Sequence, residues 1–320
     1  MPLDPQIADV LDRVKRAHRP PLWSLDPVAA RIAYAKAARV LEIAAAPLYL
    51  VEDFTIVASD GYALPLRRYV PRVSAAPLPL VVFCHGGGFT IGDLATHDSV
   101  CRMLAREADC IMLAVDYRLA PEHPFPSAVD DAFDALTWAR SHPVQLGADL
   151  SRIAVAGDSA GGTLAAVSAI RARDASWPLV LQMLIYPGTG RERNTASHRA
   201  FAEGYMLDAK LLHWFRNNYQ PDAKARDDWR FAPLDGKAAS GAPVALDGVA
   251  PACILVAGYD PLHDEGVAYA KRLREAAITV ELLGYPGMVH GFFQYGGAID
   301  TARAAHRHAV LALRRAFGTA

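Results

Sequence analysis

The chain has 320 residues, 52% of them hydrophobic and 21% charged, with a formal net charge of -1 at pH 7. That balance supports a packed core and excludes a disordered chain, and the scattered basic residues leave no electrostatic footprint for nucleic acid or an anionic membrane. The longest apolar runs, such as Leu80 to Cys84, are strand-sized and far too short to span a bilayer.

The opening stretch places charges in every turn and lacks the apolar centre and small-residue cleavage site of a secretory signal, so a cytoplasmic protein is expected. Residues 1–48 are helical in pattern and precede any strand. Val51 to Ala58 and Leu64 to Val70 then read as an antiparallel hairpin around Ser59-Asp60-Gly61. From Leu80 onward short apolar runs of the kind buried on both faces recur: Leu80 to Cys84, Cys110 to Val115, Ile153 to Ala156, Leu179 to Ile185, Ala252 to Val256 and Val280 to Leu283. Amphipathic stretches of helical length separate or follow them at Ser127 to Ser141, Ala160 to Arg173, Glu265 to Ala277 and Ile299 to Phe317. This alternation predicts a mostly parallel, doubly wound α/β sheet. Residues 188–233 interrupt it with aromatics, charge and a helical run from Lys210 to Tyr219. Residues 1–48 and 188–233 are therefore expected to pack together as a cap over a core of residues 49–187 and 234–320. Asp235 to Val249 reads as a surface loop.

Within that frame three motifs carry chemistry. Gly157-Asp158-Ser159-Ala160-Gly161 lies between a strand and a helix, the setting in which a sharp turn lifts a serine hydroxyl into solvent, and Ser159 is the candidate nucleophile. His85-Gly86-Gly87-Gly88-Phe89 follows the strand ending at Cys84, and its glycines allow backbone N–H groups to face a developing oxyanion. Gly87 and Gly88, with the N–H of Ala160, are the expected donors, and His85 and Gly86 the support of the loop. The run has neither the Gly-Lys-Ser/Thr ending of a P-loop nor the spacing of a dinucleotide fingerprint. Asp260 follows a strand end, favoured over Asp264, which falls in the next helix, and His290 lies in a loop after the final strand. Serine, acid and histidine in this order form a triad. Phe89, Met206, Trp214, Met288, Val289 and Phe292 are the candidate pocket residues, as apolar or aromatic side chains at the mouth or in the cap. Cys84, Cys101, Cys110 and Cys253 lack metal-ligand spacing and read as small buried hydrophobes, so no metal site is expected.

These motifs, with Ile91-Gly92-Asp93-Leu94, His97-Asp98, Asp116 to Glu122, Gly258 to Leu262, Asp264-Glu265-Gly266 and His290-Gly291-Phe292, resemble the hormonesensitive-lipase-like family of bacterial carboxylesterases, over nearly the whole core. The resemblance implies an α/β-hydrolase fold with a helical cap, hydrolysis of short- to medium-chain acyl esters, no metal or organic cofactor, a structural role for Asp116 to Glu122, and a possible homodimer. The sequence departs from the family in the length of the Asp235 to Val249 loop and in His263, where an arginine is common. Amidase, thioesterase or lactone hydrolase chemistry uses the same triad, and a receptor with a broken triad is the non-catalytic alternative; here all three positions hold competent residues.

Overall fold

The computed structural model describes residues 2–191 and 194–320; residues 1, 192 and 193, which belong to the two segments expected to form a cap, lie outside the described residues. The chain begins with α1 (Pro5–Arg16) and α2 (Pro27–Leu41), each started by an Asp-Pro pair. Asp4 and Asp26 accept backbone N–H bonds as N-caps, and proline suits the first helical turn, where its missing N–H has no partner to lose.

The strands follow as β1 (Leu50–Val57), β2 (Ala63–Val70), β3 (Leu78–Cys84), β4 (Ile111–Val115), β5 (Ala148–Asp158), β6 (Leu181–Ile185), β7 (Ala252–Tyr259) and β8 (Val280–Val289). They form one eight-stranded sheet in the order β1-β2-β4-β3-β5-β6-β7-β8. The expected hairpin pairs antiparallel, β2 pairs antiparallel with β4, and every pair from β4 to β8 is parallel. Between the strands lie α3 (Asp98–Ala108), α4 (Ser127–Ser141), the short α5 (Pro143–Leu146), α6 (Ala160–Asp174), α7 (Ala196–Ala200), α8 (Ala209–Tyr219) and α9 (His263–Glu275), with α10 (Asp300–Phe317) at the end. The α3 helix was not among the expected elements.

Alternation along the parallel strands divides the core into two layers. Leu80, Val82 and Cys84 of β3 pack on the face covered by α4, α6 and α9, whereas Val81 and Phe83 pack on the face covered by α3, α10 and α1. The Asp235 to Val249 stretch has no regular helix or strand, but it is not merely a surface loop: Val244, Leu246 and Val249 are buried against the first layer. Arg272 of α9 holds it there, donating to the Val244 carbonyl. The inserted segment contributes a smaller cluster, in which Leu207, Leu211 and Leu212 meet Leu262, with Leu22 and Trp23 packed against them.

Candidate active site

The sharp turn between β5 and α6 places Ser159 at φ 54°, ψ -118°, a left-handed conformation that a non-glycine residue adopts only under constraint. The constraint is visible: the Ser159 N–H donates to the Ile185 carbonyl of β6 at 2.8 Å, and the Ser159 carbonyl accepts from Thr163 in α6. Close approach requires Gly161, since a Cβ there would stand 1.9 Å from the Cys84 carbonyl oxygen at the end of β3.

Asp260, beyond the end of β7, and His290, beyond the end of β8, converge on this serine. Ser159 Oγ lies 2.8 Å from His290 Nε2, and His290 Nδ1 lies 2.7 Å from Asp260 Oδ2. A carboxylate only accepts, so Nδ1–H donates to Asp260, leaving the Nε2 lone pair for the serine proton. Asp260 is fully buried, and its other oxygen accepts the Leu262 N–H at 2.8 Å. The Tyr186 ring lies 4.6 Å from the His290 ring and limits its tilt. Asp264 serves elsewhere, accepting the Ser197 N–H at the start of α7.

The glycine loop sits across the serine. Gly87 (φ 125°) and Gly88 (φ 58°) occupy conformations that disfavour any side chain, and a Cβ on Gly87 would lie 2.0 Å from the Ile91 carbonyl oxygen. His85 is buried beneath the loop, its Nδ1 2.8 Å from the Gly86 carbonyl and its ring stacked on Tyr117 at 4.2 Å. Burial, together with the neighbouring His97, pulls the His85 pKa down to about 4, so at neutral pH its Nδ1–H donates to Gly86. The Gly86 N–H in turn donates to Asp158 Oδ1 at 2.8 Å, joining the glycine loop to the serine turn. Burial alone would raise the Asp158 pKa, but His97, 3.1 Å away, and this N–H outweigh it and hold the carboxyl below its ordinary value. Gln294 closes the cluster, 2.5 Å from His97 and 3.3 Å from Asp158.

A cavity of about 1200 Å³ opens above Ser159 and His290, walled by residues from α1, α2, the inserted segment and the glycine loop. Of the candidate pocket residues, Phe89 and Met206 line it, and Trp214, Met288, Val289 and Phe292 do not. Met288 and Val289 are fully buried in the second core layer because β8 continues to Val289, Phe292 is buried in the same layer in the 3-10 turn that follows, and Trp214 packs against the leucine cluster while its neighbour Phe215 faces the cavity. Tyr34, Leu211 and Tyr219 also line it and were not foreseen. Among the described residues, no group of three or more His, Cys, Asp or Glu could hold a metal ion.

Residues 81–294 match a family model described as the α/β-hydrolase fold. The chain belongs to the α/β-hydrolase family, in its hormone-sensitive-lipase-like branch. This hydrolase is 44% identical over 263 residues to the esterase LipI of Mycobacterium tuberculosis, covering 81% of the chain and 80% of that relative. It is 37% identical over 311 residues to an ethyl acetate hydrolase of Pseudomonas putida, covering 94% and 95% respectively. An α/β-hydrolase enzyme from the metagenome of Lake Arreo shares the fold with a TM-score of 0.92 at 40% identity, covering 99% of both chains.

Proposed function

We propose that the protein is a serine carboxylesterase that hydrolyses short- to medium-chain acyl esters through an acyl-enzyme. The observation that carries this reading is the hydrogen-bonded chain from Ser159 through His290 to Asp260, with a glycine loop poised across the serine. Its relatives named esterase and ethyl acetate hydrolase support it. Ser159 Oγ attacks the ester carbonyl as His290 Nε2 takes its proton, and Asp260 stabilises the imidazolium that forms. The carbonyl π electrons move to oxygen, where the N–H groups of Gly87, Gly88 and Ala160 receive the charge. His290 then protonates the departing alkoxide as the C–O bond breaks. Water, deprotonated by His290, attacks the acyl-enzyme, and Ser159 leaves with the proton returned.

The cavity exceeds the size of an ordinary small-ligand pocket, which supports a substrate range reaching medium acyl chains. Residues 1–48 and 188–233 act as the cap that keeps water from it. No helix of the described residues is long and apolar enough to cross a membrane, and four buried free thiols suit a reducing cytoplasm. A homodimer is part of the same proposal, to be checked by sedimentation.

The test is steady-state hydrolysis of p-nitrophenyl esters of increasing acyl length by the wild type and by Ser159→Ala. A wild-type rate that peaks at short or medium chains and falls by about 10⁵ or more in the variant is expected. Full turnover by a folded Ser159→Ala protein would overturn the assignment.

A further inference from the structure

The α2 helix is poorly anchored by hydrophobic contact, since Ala30 alone among its residues is fully buried. Its firmest attachment is polar. Arg31 donates from Nε to the Thr90 carbonyl at 2.8 Å and from Nη2 to the Ala120 carbonyl at 2.9 Å. Its Nη1 and Nη2 also hold the Glu122 carboxylate at 2.9 and 2.5 Å. One guanidinium thus joins the cap to two loops of the core, and those loops are themselves tied by the Ala120 N–H to the Phe89 carbonyl at 2.8 Å. The Glu122 partner is half-exposed, and an ion pair in that setting contributes little by itself. The significance lies in what Thr90 holds.

Thr90 and Ile91 both donate their N–H groups to the Gly87 carbonyl at 3.0 Å, and Thr90 Oγ1 donates to the Gly88 carbonyl at 3.1 Å. A peptide unit is planar, so fixing the Gly87 carbonyl fixes the direction of the Gly88 N–H. We propose that Arg31 is a positioning residue for the oxyanion hole: it acts through Thr90 to aim the Gly88 N–H, and Glu122 holds its guanidinium in register. Arg31 does not line the cavity, so its removal takes no contact from the substrate. The helix has a second handle one turn on, where Tyr34 donates to Gln294 in the cluster that binds Asp158. The proposal rests on the serine esterase reading, and it gives Glu122 a task beyond shaping its own loop.

The test compares wild type with Arg31→Ala, Arg31→Lys and Glu122→Gln, with Ser159→Ala run alongside. Loss of turnover in Ser159→Ala establishes the chemistry; an active Ser159→Ala would refute that reading instead and leave the fault there. Two quantities are read: kcat and KM for p-nitrophenyl butyrate, and the inhibition constant of a trifluoromethyl ketone, whose serine adduct places an oxyanion in the hole. Arg31→Ala is expected to lower kcat about 10- to 100-fold and weaken the ketone by a similar factor, with KM changed by no more than about twofold. Arg31→Lys keeps the charge without the planar fork and falls between. Glu122→Gln shows a smaller loss of the same kind, and millimolar guanidinium restores part of the Arg31→Ala rate. Unchanged kcat and ketone affinity, or a change in KM or melting temperature alone, would overturn the proposal. Should Arg31→Ala not fold, the lysine and Glu122 variants decide it by the same two readouts.

Discussion

The decisive residues are held by backbone geometry rather than by side-chain chemistry alone. Ser159 reaches its hydroxyl position because its φ is positive, and Gly87 turns the glycine loop because no other residue fits there. Gly87→Ala would drive a Cβ against the Ile91 carbonyl and redirect the adjoining N–H groups. A loss of kcat of about 10²-fold or more, with KM little altered, is expected, and stopped-flow acylation would measure it. That Ser159, Asp260 and His290 meet could be read from sequence because each lies in a recognisable strand-end motif. The cavity wall could not. Trp214 and Phe215 are neighbours on α8, about 100° apart around its axis, and nothing in their order says which faces inward. His97 and Gln294 were missed as partners of Asp158 because their tie spans almost two hundred residues of chain.

The elements obey close-packing at some glycines and leave others free. Gly161 in α6 lies against the Cys84 carbonyl, so Gly161→Ala must push the helix from the sheet. A destabilisation of about 2–3 kcal/mol is expected. Gly284 in β8 offers the opposite case: a Cβ there meets nothing within 4 Å. Gly284→Ala should stabilise by about 0.5 kcal/mol through the unfolded chain, and urea denaturation of both variants checks the pair. The parallel strands were legible because burial on both faces makes them continuous apolar runs. The end of β8 was not, since Gly284, Pro286 and Gly287 interrupt the run that the sheet nevertheless extends to Val289. The α3 helix was obscured by the glycine-rich stretch before it, although Val100, Cys101, Leu104, Ala105 and Ala108 follow helical spacing and are buried.

At the scale of the whole molecule, burial makes protonation of His85 and His306 costly. His85, as described, and His306 of α10 both have pKa values pulled down to about 4, His306 chiefly by burial, with its Nε2 2.6 Å from the Phe293 carbonyl. In the unfolded chain each titrates at its ordinary value near 6.5, so between there and about 4 the unfolded state binds more protons. The stabilisation is complete above the upper value and is lost as pH falls through this window, by up to about 1.4 kcal/mol per pH unit for each group. His306→Gln should therefore flatten the decline in melting temperature between about pH 7 and pH 4.5, read by thermal melts. Parallel curves for variant and wild type would refute this. The same breadth of connection appears at the termini, where Asp4 donates its N–H to the Gly287 carbonyl and Gln6 exchanges two hydrogen bonds with Asp300. The α1 helix is thus bound by elements almost three hundred residues further along the chain. At about 5–20 residues per second, roughly fifteen seconds to a minute separates the synthesis of α1 from that of its seat. Throughout that interval Ile7 and Val10, buried in the folded protein, lack the surface that covers them.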